Sequence, residues 1–255
     1  MQVCETTDRD AIQAFLEQDR GYAAYALGDL EPPLSEQSTW YVAEVQGILQ
    51  GLVLRFTGLE PHALFLMGEA QGLRALLGQA PLPFRAYLTC RPTELKVAMA
   101  AYELVSLEYM WRMVLPAGAF QPVSGEAARL GSEGYDELMA LYQQGGEGFL
   151  FRRYQLEQGV YYGVRVDGEL VTAAGTHLVA PGAGIGCVGN VFTQEAHRRQ
   201  GYGAIAASAV VAELSGLVPT VVLNVRQDNL TAIRLYERLG FQPYCPFVEA
   251  MGFRR

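Results

Sequence analysis

Residues 190–204, Asn-Val-Phe-Thr-Gln-Glu-Ala-His-Arg-Arg-Gln-Gly-Tyr-Gly-Ala, constrain this chain more than any other stretch. A short β-prone run ends at Thr193. Two arginines, Arg198 and Arg199, and a Gly201-x-Gly203 follow, and an Ala/Val-rich stretch from Ala204 to Leu214 then reads as a helix. A strand, a basic glycine turn and a helix start in that order build an anion cradle. Gly201 and Gly203 permit unusual φ values and close approach of backbone to ligand. The free N–H groups and the dipole at the helix start favour a phosphate.

Spacing decides which phosphate loop this is. A dinucleotide fingerprint requires a third glycine where Ala206 stands, and early placement in a βαβ unit. The P-loop pattern of a glycine followed by Lys-Ser/Thr is absent. Arg198-x-x-Gly201-x-Gly203 instead resembles the Arg/Gln-x-x-Gly-x-Gly/Ala signature of GNAT acyltransferases. Residues 223–241 resemble that family's second signature: a strand, Asn229, Ala232-Ile233, Tyr236 and a closing Leu239-Gly240-Phe241. The resemblance covers roughly residues 123–255 and implies a mixed α/β (α+β) fold.

At 255 residues the chain is long enough for one large or two modest domains. Net charge is −8, which argues against a general nucleic-acid binder, because phosphate contacts need clustered Lys and Arg. The polar, acidic start, Met1 to Asp10, does not read as a signal peptide. Residues 204–223 are apolar, but Glu213 and Pro219 interrupt them and Ser215-Gly216 reads as a helix end. A buried helix and strand fit better than a membrane span. Cys4, Cys90, Cys187 and Cys245 are widely spaced and form no Cys/His cluster, so reduced thiols, no structural metal and a cytoplasmic location are expected.

The stretch from Leu115 to Pro122 is the best linker. The halves beside it read alike. Residues 41–51 and 162–172 are both strand, glycine turn, strand, offset by 121 positions (Tyr41 to Tyr162). Ala86 to Arg91 and Val221 to Arg226 are both strands before a helical run, offset by 135. The second half thus holds roughly 14 extra residues where the cradle lies. The matching place in the first half, Phe65 to Arg74, has Glu69 and no arginine pair. This reads as two mixed β-sheet units flanked by helices, a degenerate copy over 1–115 and a copy over 123–255 that keeps a cofactor site; the family resemblance implies that this working copy binds acetyl-CoA. Helices are expected near 9–18, 132–144, 203–214 and 230–239.

The resemblance implies acetyl-CoA as cosubstrate and a primary amine, unidentified, as acceptor, with neither metal, nucleic acid nor membrane involved. It implies that Val191, Phe192 and Thr193 pair with the pantetheine amides as another strand would. The backbone of Arg199, Gln200, Gly201, Tyr202, Gly203 and Ala204, with Arg198 at the head of the motif, would hold the pyrophosphate. Gln200 replaces a frequent Arg or Lys. Asn229 reads as an N-cap, and the matching family residue also faces the pantetheine arm. Tyr236 is placed beside the thioester sulfur, where a phenol of ordinary pKa near 10 can protonate the leaving thiolate.

The general base is left open among His177, Glu157, Glu195, Asp228 and water; the pKa range of histidine suits the task. Residues 145–159 occupy the region that shapes the acceptor site in the family, and an amphipathic helix with a solvated arginine pair accounts for Arg152-Arg153. A tandem arrangement with the working half last is similar to that of glycine N-acyltransferase-like and mycothiol-synthase-like proteins. The competing reading is a non-catalytic acyl-CoA-binding module.

Overall fold

The computed structural model describes residues 1–145 and 151–255. It divides into two compact units. The first comprises Met1–Arg112, Arg226–Asp228 and Tyr244–Arg255, and the second Met113–Val225 and Asn229–Pro243. Both are mixed α+β.

The first unit carries β1 (Gln2–Thr6), α1 (Arg9–Leu16), α2 (Ala24–Gly28), β2 (Ser38–Val45), β3 (Ile48–Phe56), β4 (His62–Gly68), α3 (Ala70–Gln79), β5 (Arg85–Cys90), α4 (Leu95–Ala101) and β6 (Tyr102–Leu115). Asp8 starts α1 by accepting from the Ala11 N–H at 3.0 Å. Ile12, Phe15 and Leu16 then fall on one buried face. Gln46 and Gly47 join β2 to β3 with φ of 52° and 77°, a two-residue turn whose twist matches the strands. Leu64, Leu66, Leu73, Leu76, Leu88 and Val248 are among the buried residues of the core.

The second unit carries β7 (Ala128–Arg129), α5 (Tyr135–Gln143), α6 (Arg153–Gln158), β8 (Tyr162–Val166), β9 (Glu169–Ala180), β10 (Ile185–Thr193), α7 (Tyr202–Leu217), β11 (Thr220–Arg226) and α8 (Leu230–Arg238). Its strands run β11-β10-β9-β8-β7. Asp167 and Gly168, at φ of 51° and 86°, make the same two-residue turn between β8 and β9. On α7, Ala206, Ala207, Val210, Val211 and Leu214 are buried at helical spacing, and the Ser208 hydroxyl accepts from the Val123 N–H at 2.9 Å.

The last strand, β12 (Gln242–Arg254), pairs antiparallel with β5, Val248 opposite Cys90 and Phe253 opposite Arg85. Division of the sequence at the linker keeps residues 244–255 with the second half; in the structure they belong to the first unit. The helices near 9–18, 132–144, 203–214 and 230–239 are present, two with a 3₁₀ turn at one end. Ser215 and Gly216 do not end α7, which continues to Leu217 until Pro219 stops it. Among the described residues no helix is long and apolar enough to cross a membrane. All four cysteines are free thiols.

The parallel pairs of the two units stop at matching places. β4 and β5 pair for four residues, ending at Phe65 opposite Thr89. β10 and β11 also pair for four, ending at Val188 opposite Leu223. Beyond those points the strands part.

Candidate functional site

Past Val188, β10 keeps its ladder to β9 as far as Thr193 opposite Thr172, but has none to β11. Among the described residues the β10–β11 ladder thus does not extend along Val191, Phe192 and Thr193, whose side chains are half-buried. The Thr172 hydroxyl donates to the Phe192 carbonyl at 2.7 Å and shares a hydrogen bond with the Thr193 hydroxyl. These contacts tie that stretch to β9.

The chain then passes through a 3₁₀ turn at Glu195–His197 into the glycine loop. Arg198 Nε donates to the Thr193 carbonyl at 3.2 Å, so this arginine closes the turn from inside. Arg199 is left-handed, at φ of 63°. Gln200 Nε2 donates to the Ala196 carbonyl at 3.4 Å. Gly201, at φ of 88°, is the N-cap of α7, and its carbonyl accepts from the Ala204 and Ile205 N–H groups at 3.0 and 3.1 Å. The N–H groups of Tyr202 and Gly203 open the helix and have no acceptor within it.

Gly203 answers to only one of the two reasons expected of it. Its φ is ordinary, and a Cβ there would sit 3.3 Å from Thr193 Oγ1 and 3.5 Å from Leu235 Cδ1. Glycine serves here by allowing close approach, with no demand on φ.

Asn229 caps α8, its Oδ1 accepting from the Ala232 N–H at 3.1 Å. Two turns on, Tyr236 is the buried residue of α8. Burial pushes its phenol pKa up to about 12. The helix ends in a Schellman motif: the Gly240 N–H donates to Glu237 and the Phe241 N–H to Tyr236, each at 3.0 Å. Gly240 takes φ of 100°. The Leu-Gly-Phe ending of the second signature is thus a helix stop.

The base candidates separate. Asp228 is exposed and ion-paired to Arg226 at 2.7 Å, which holds its pKa below the usual carboxylate range. Glu157 lies 4.0 Å from Arg153. Glu195 is exposed on the 3₁₀ turn. His177 is half-buried, and its imidazole covers Gly189 of β10 so closely that no side chain would fit there. Within 145–159, residues 146–150 lie outside the described residues. Arg153 stacks its guanidinium 4.0 Å from the Tyr135 ring centroid.

Asn190, one residue before the Val191–Thr193 stretch, is a structural feature that motif reading misses. It lies in a bulge of β10 at φ of 52°. The signal was Gly189-Asn190 inside a strand, a pair that marks bulges.

Residues 132–241 match the sequence profile of the acetyltransferase (GNAT) family. No curated protein sequence matches the chain. Among solved structures, the chain is similar to a Drosophila protein (16% identity, TM-score 0.76, 98% of each chain covered). It is also similar to a GCN5-related N-acetyltransferase from Kribbella flavida (19%, 0.65, 91% of this chain and 95% of that one). A third similar structure is a tandem GNAT protein from the clavulanic acid biosynthesis pathway (14%, 0.56, 98% of each). At these identities the likeness is one of fold. With the profile match and the two signatures at 198–203 and 223–241, residues 132–241 are a domain of the GNAT acetyltransferase family.

Proposed function

We propose that the chain is an N-acetyltransferase that moves the acetyl group of acetyl-CoA to a primary amine by direct attack. We further propose that residues 123–255 carry the working copy and residues 1–115 a degenerate one. The observation that supports this best is the parting of β10 from β11 after Val188, on a strand that leads straight into an anion-binding helix start. Acetyl-CoA is a substrate here. Val191, Phe192 and Thr193 pair with its amide arm, and the backbone from Arg199 to Ala204 takes the pyrophosphate. Arg198 braces the turn, and Asn229 faces the arm from the start of α8.

In the reaction the amine nitrogen bonds to the thioester carbonyl carbon, and the C=O electron pair moves to oxygen. When that pair returns, the C–S bond breaks and the thiolate leaves. The nitrogen gives up a proton to a base, which is His177, an acidic residue or water, and the sulfur gains one. Tyr236 is the proton donor to sulfur. Against a thiol pKa of about 8.5, a phenol at about 12 makes complete transfer uphill by roughly 5 kcal/mol. Proton transfer therefore lags behind C–S cleavage and is least uphill once the sulfur carries its full thiolate charge.

An amine panel, with release of free thiol from acetyl-CoA as the signal, tests the reading. Acetyl-CoA-dependent turnover of one amine class supports it. Tight binding with no turnover across the panel replaces it with a non-catalytic acyl-CoA-binding module.

A further inference from the structure

Between Gly189 and Phe192, β10 carries one more residue than the strand it pairs with. Gly189 lies opposite Gly175 and Phe192 opposite Ala173, so three steps on β10 face two on β9. The extra residue is accommodated by Asn190 in the left-handed region, which a side chain disfavours but asparagine tolerates best. A strand that absorbed this bulge by slipping one position would turn Val191, Phe192 and Thr193 to the opposite faces.

Three elements hold Asn190. Its Nδ2 donates to the Tyr161 hydroxyl at 2.7 Å. Tyr161 donates in turn to the Thr176 carbonyl of β9 at 2.7 Å. The Tyr142 hydroxyl, on α5, donates to the Asn190 carbonyl at 2.6 Å. Both tyrosines are fully buried and pack against Phe151. Two glycines make the arrangement possible. The Tyr161 ring lies where a side chain at 175 would stand, and the His177 imidazole where one at 189 would stand. Two buried hydroxyls and two strand glycines spent around one residue exceed what a strand needs merely to pair.

We propose that Tyr142, Asn190 and Tyr161 form a positioning clamp that fixes the β10 bulge, and through it the Val191–Thr193 backbone that meets the thioester arm. The clamp rests on the acetyltransferase reading and deepens it: it acts on the rate of acyl transfer through strand geometry, without touching the reacting atoms.

The test uses the full chain and three variants, Tyr161→Phe, Asn190→Gly and Asn190→Ala, with two readouts. The first is hydrogen–deuterium exchange of the 189–193 amides. Tyr161→Phe keeps the ring but removes the hydroxyl, and should speed exchange there about 10-fold while the β8–β9 hairpin exchanges as in wild type. The second is steady-state kinetics with the amine found in the panel. Tyr161→Phe should lower kcat about 10-fold and leave the acetyl-CoA KM within about 3-fold. Asn190→Gly, which keeps the left-handed backbone, should lose less kcat than Asn190→Ala, which loses both backbone and amide.

Exchange equal to wild type in folded Tyr161→Phe and Asn190→Gly overturns the clamp, whether or not turnover is found. Faster exchange with kcat unchanged in an active enzyme overturns its role in catalysis. Wild type without turnover on any amine overturns the acetyltransferase reading, and the clamp's catalytic role with it.

Discussion

The Tyr236 ring stands edge-on to that of Phe241, with centroids 6.1 Å apart, across the Schellman turn that ends α8. This is the apolar contact that commonly accompanies such a stop. It means that the proposed proton donor is fixed by the helix terminus itself. Gly240 lets the chain turn, Phe241 folds back, and the phenol is locked in place. The Leu-Gly-Phe end of the second signature therefore fixes the geometry of Tyr236.

Replacing Tyr236 by phenylalanine keeps this packing and removes the proton. We expect kcat to fall about 10-fold or more and the acetyl-CoA KM to stay within a few-fold, the pattern of an interaction made in the transition state. Single-turnover measurement is the proper check, because slow product release would hide the effect. Wild-type single-turnover rates in the variant would make Tyr236 a packing residue.

Gly240→Ala attacks the same device through the backbone. At φ of 100° a Cβ is strained, and it would overlap the Ala119 carbonyl. We expect a loss of about 2 kcal/mol or more in unfolding free energy. Gly168→Ala, at φ of 86° with open space around it, should show the strain alone, about 1 kcal/mol. Equal midpoints in urea for the two variants would contradict this.

Gly203→Asp separates stability from binding. A carboxylate in the first turn of α7 favours the helix dipole, so the fold should hold or gain slightly. The same charge opposes a pyrophosphate, and its Cβ meets Thr193 Oγ1 at 3.3 Å. We expect acetyl-CoA affinity to drop at least 10-fold by isothermal titration of the full chain, with an unchanged or higher Tm. Unaltered affinity would move the phosphates elsewhere.

Much of this was legible from particular residues. Thr193, Arg198, Gly201 and the Ala/Val run give strand, turn and helix in order, because each depends on local backbone preference. The glycine turns at 47 and 168 are equally local. What could not be read depends on distant partners. Nothing in the alternation of residues 242–254 says that they pair with β5, since strand pairing is decided by the whole sheet. At Gly203 the sequence leaves φ and close approach both open; the ordinary φ and the nearness of Thr193 and Leu235 leave close approach. Gly189-Asn190 hints at the bulge, but the residues that hold it, Tyr142 and Tyr161, lie far off in sequence. One practical consequence is that residues 123–255 alone would leave β12 without its β5 partner, so binding experiments belong on the full chain.

Glu94 should give the first unit a measurable pH dependence. It is buried, and desolvation raises its pKa from 4.5 to about 7, against the pull of the Arg91 N–H, which donates to its Oε2 at 2.7 Å. A carboxyl with a raised folded-state pKa stabilises the fold fully below about 4.5, and that contribution is lost as pH climbs to about 7. Unfolding free energy should thus be higher at pH 5 than at pH 8 by on the order of 1–3 kcal/mol. Desolvation also raises Asp29 from 3.8 to about 7, a dependence of the same sign, so Glu94→Gln, which keeps an acceptor for Arg91, should reduce the difference in urea titrations at the two pH values without abolishing it. A wild-type profile in the variant would assign the dependence to other groups.

The full chain should take up one acetyl-CoA. In the first unit β4 and β5 part as β10 and β11 do, but the gap is already bridged. Tyr22 is fully buried, and its hydroxyl donates to the Leu66 carbonyl of β4 at 2.8 Å, one residue beyond the last paired position. Its ring lies 4.9 Å from Phe65, and the Arg91 guanidinium, just past β5, covers it at 4.3 Å. Arg91 is itself held by an ion pair to Asp19. Where β10 of the second unit parts from β11 after Val188, the first unit presents a carbonyl hydrogen-bonded to its own tyrosine and a carboxyl, Glu94, at the start of α4. The helix that follows β4 also begins after Glu69, without an arginine pair. Isothermal titration should therefore give a stoichiometry near one. Tyr22→Phe, which frees the Leu66 carbonyl but leaves the ring in place, should not raise it. Two equivalent sites in wild type would show that the first unit is no degenerate copy, and that its filled gap opens for ligand.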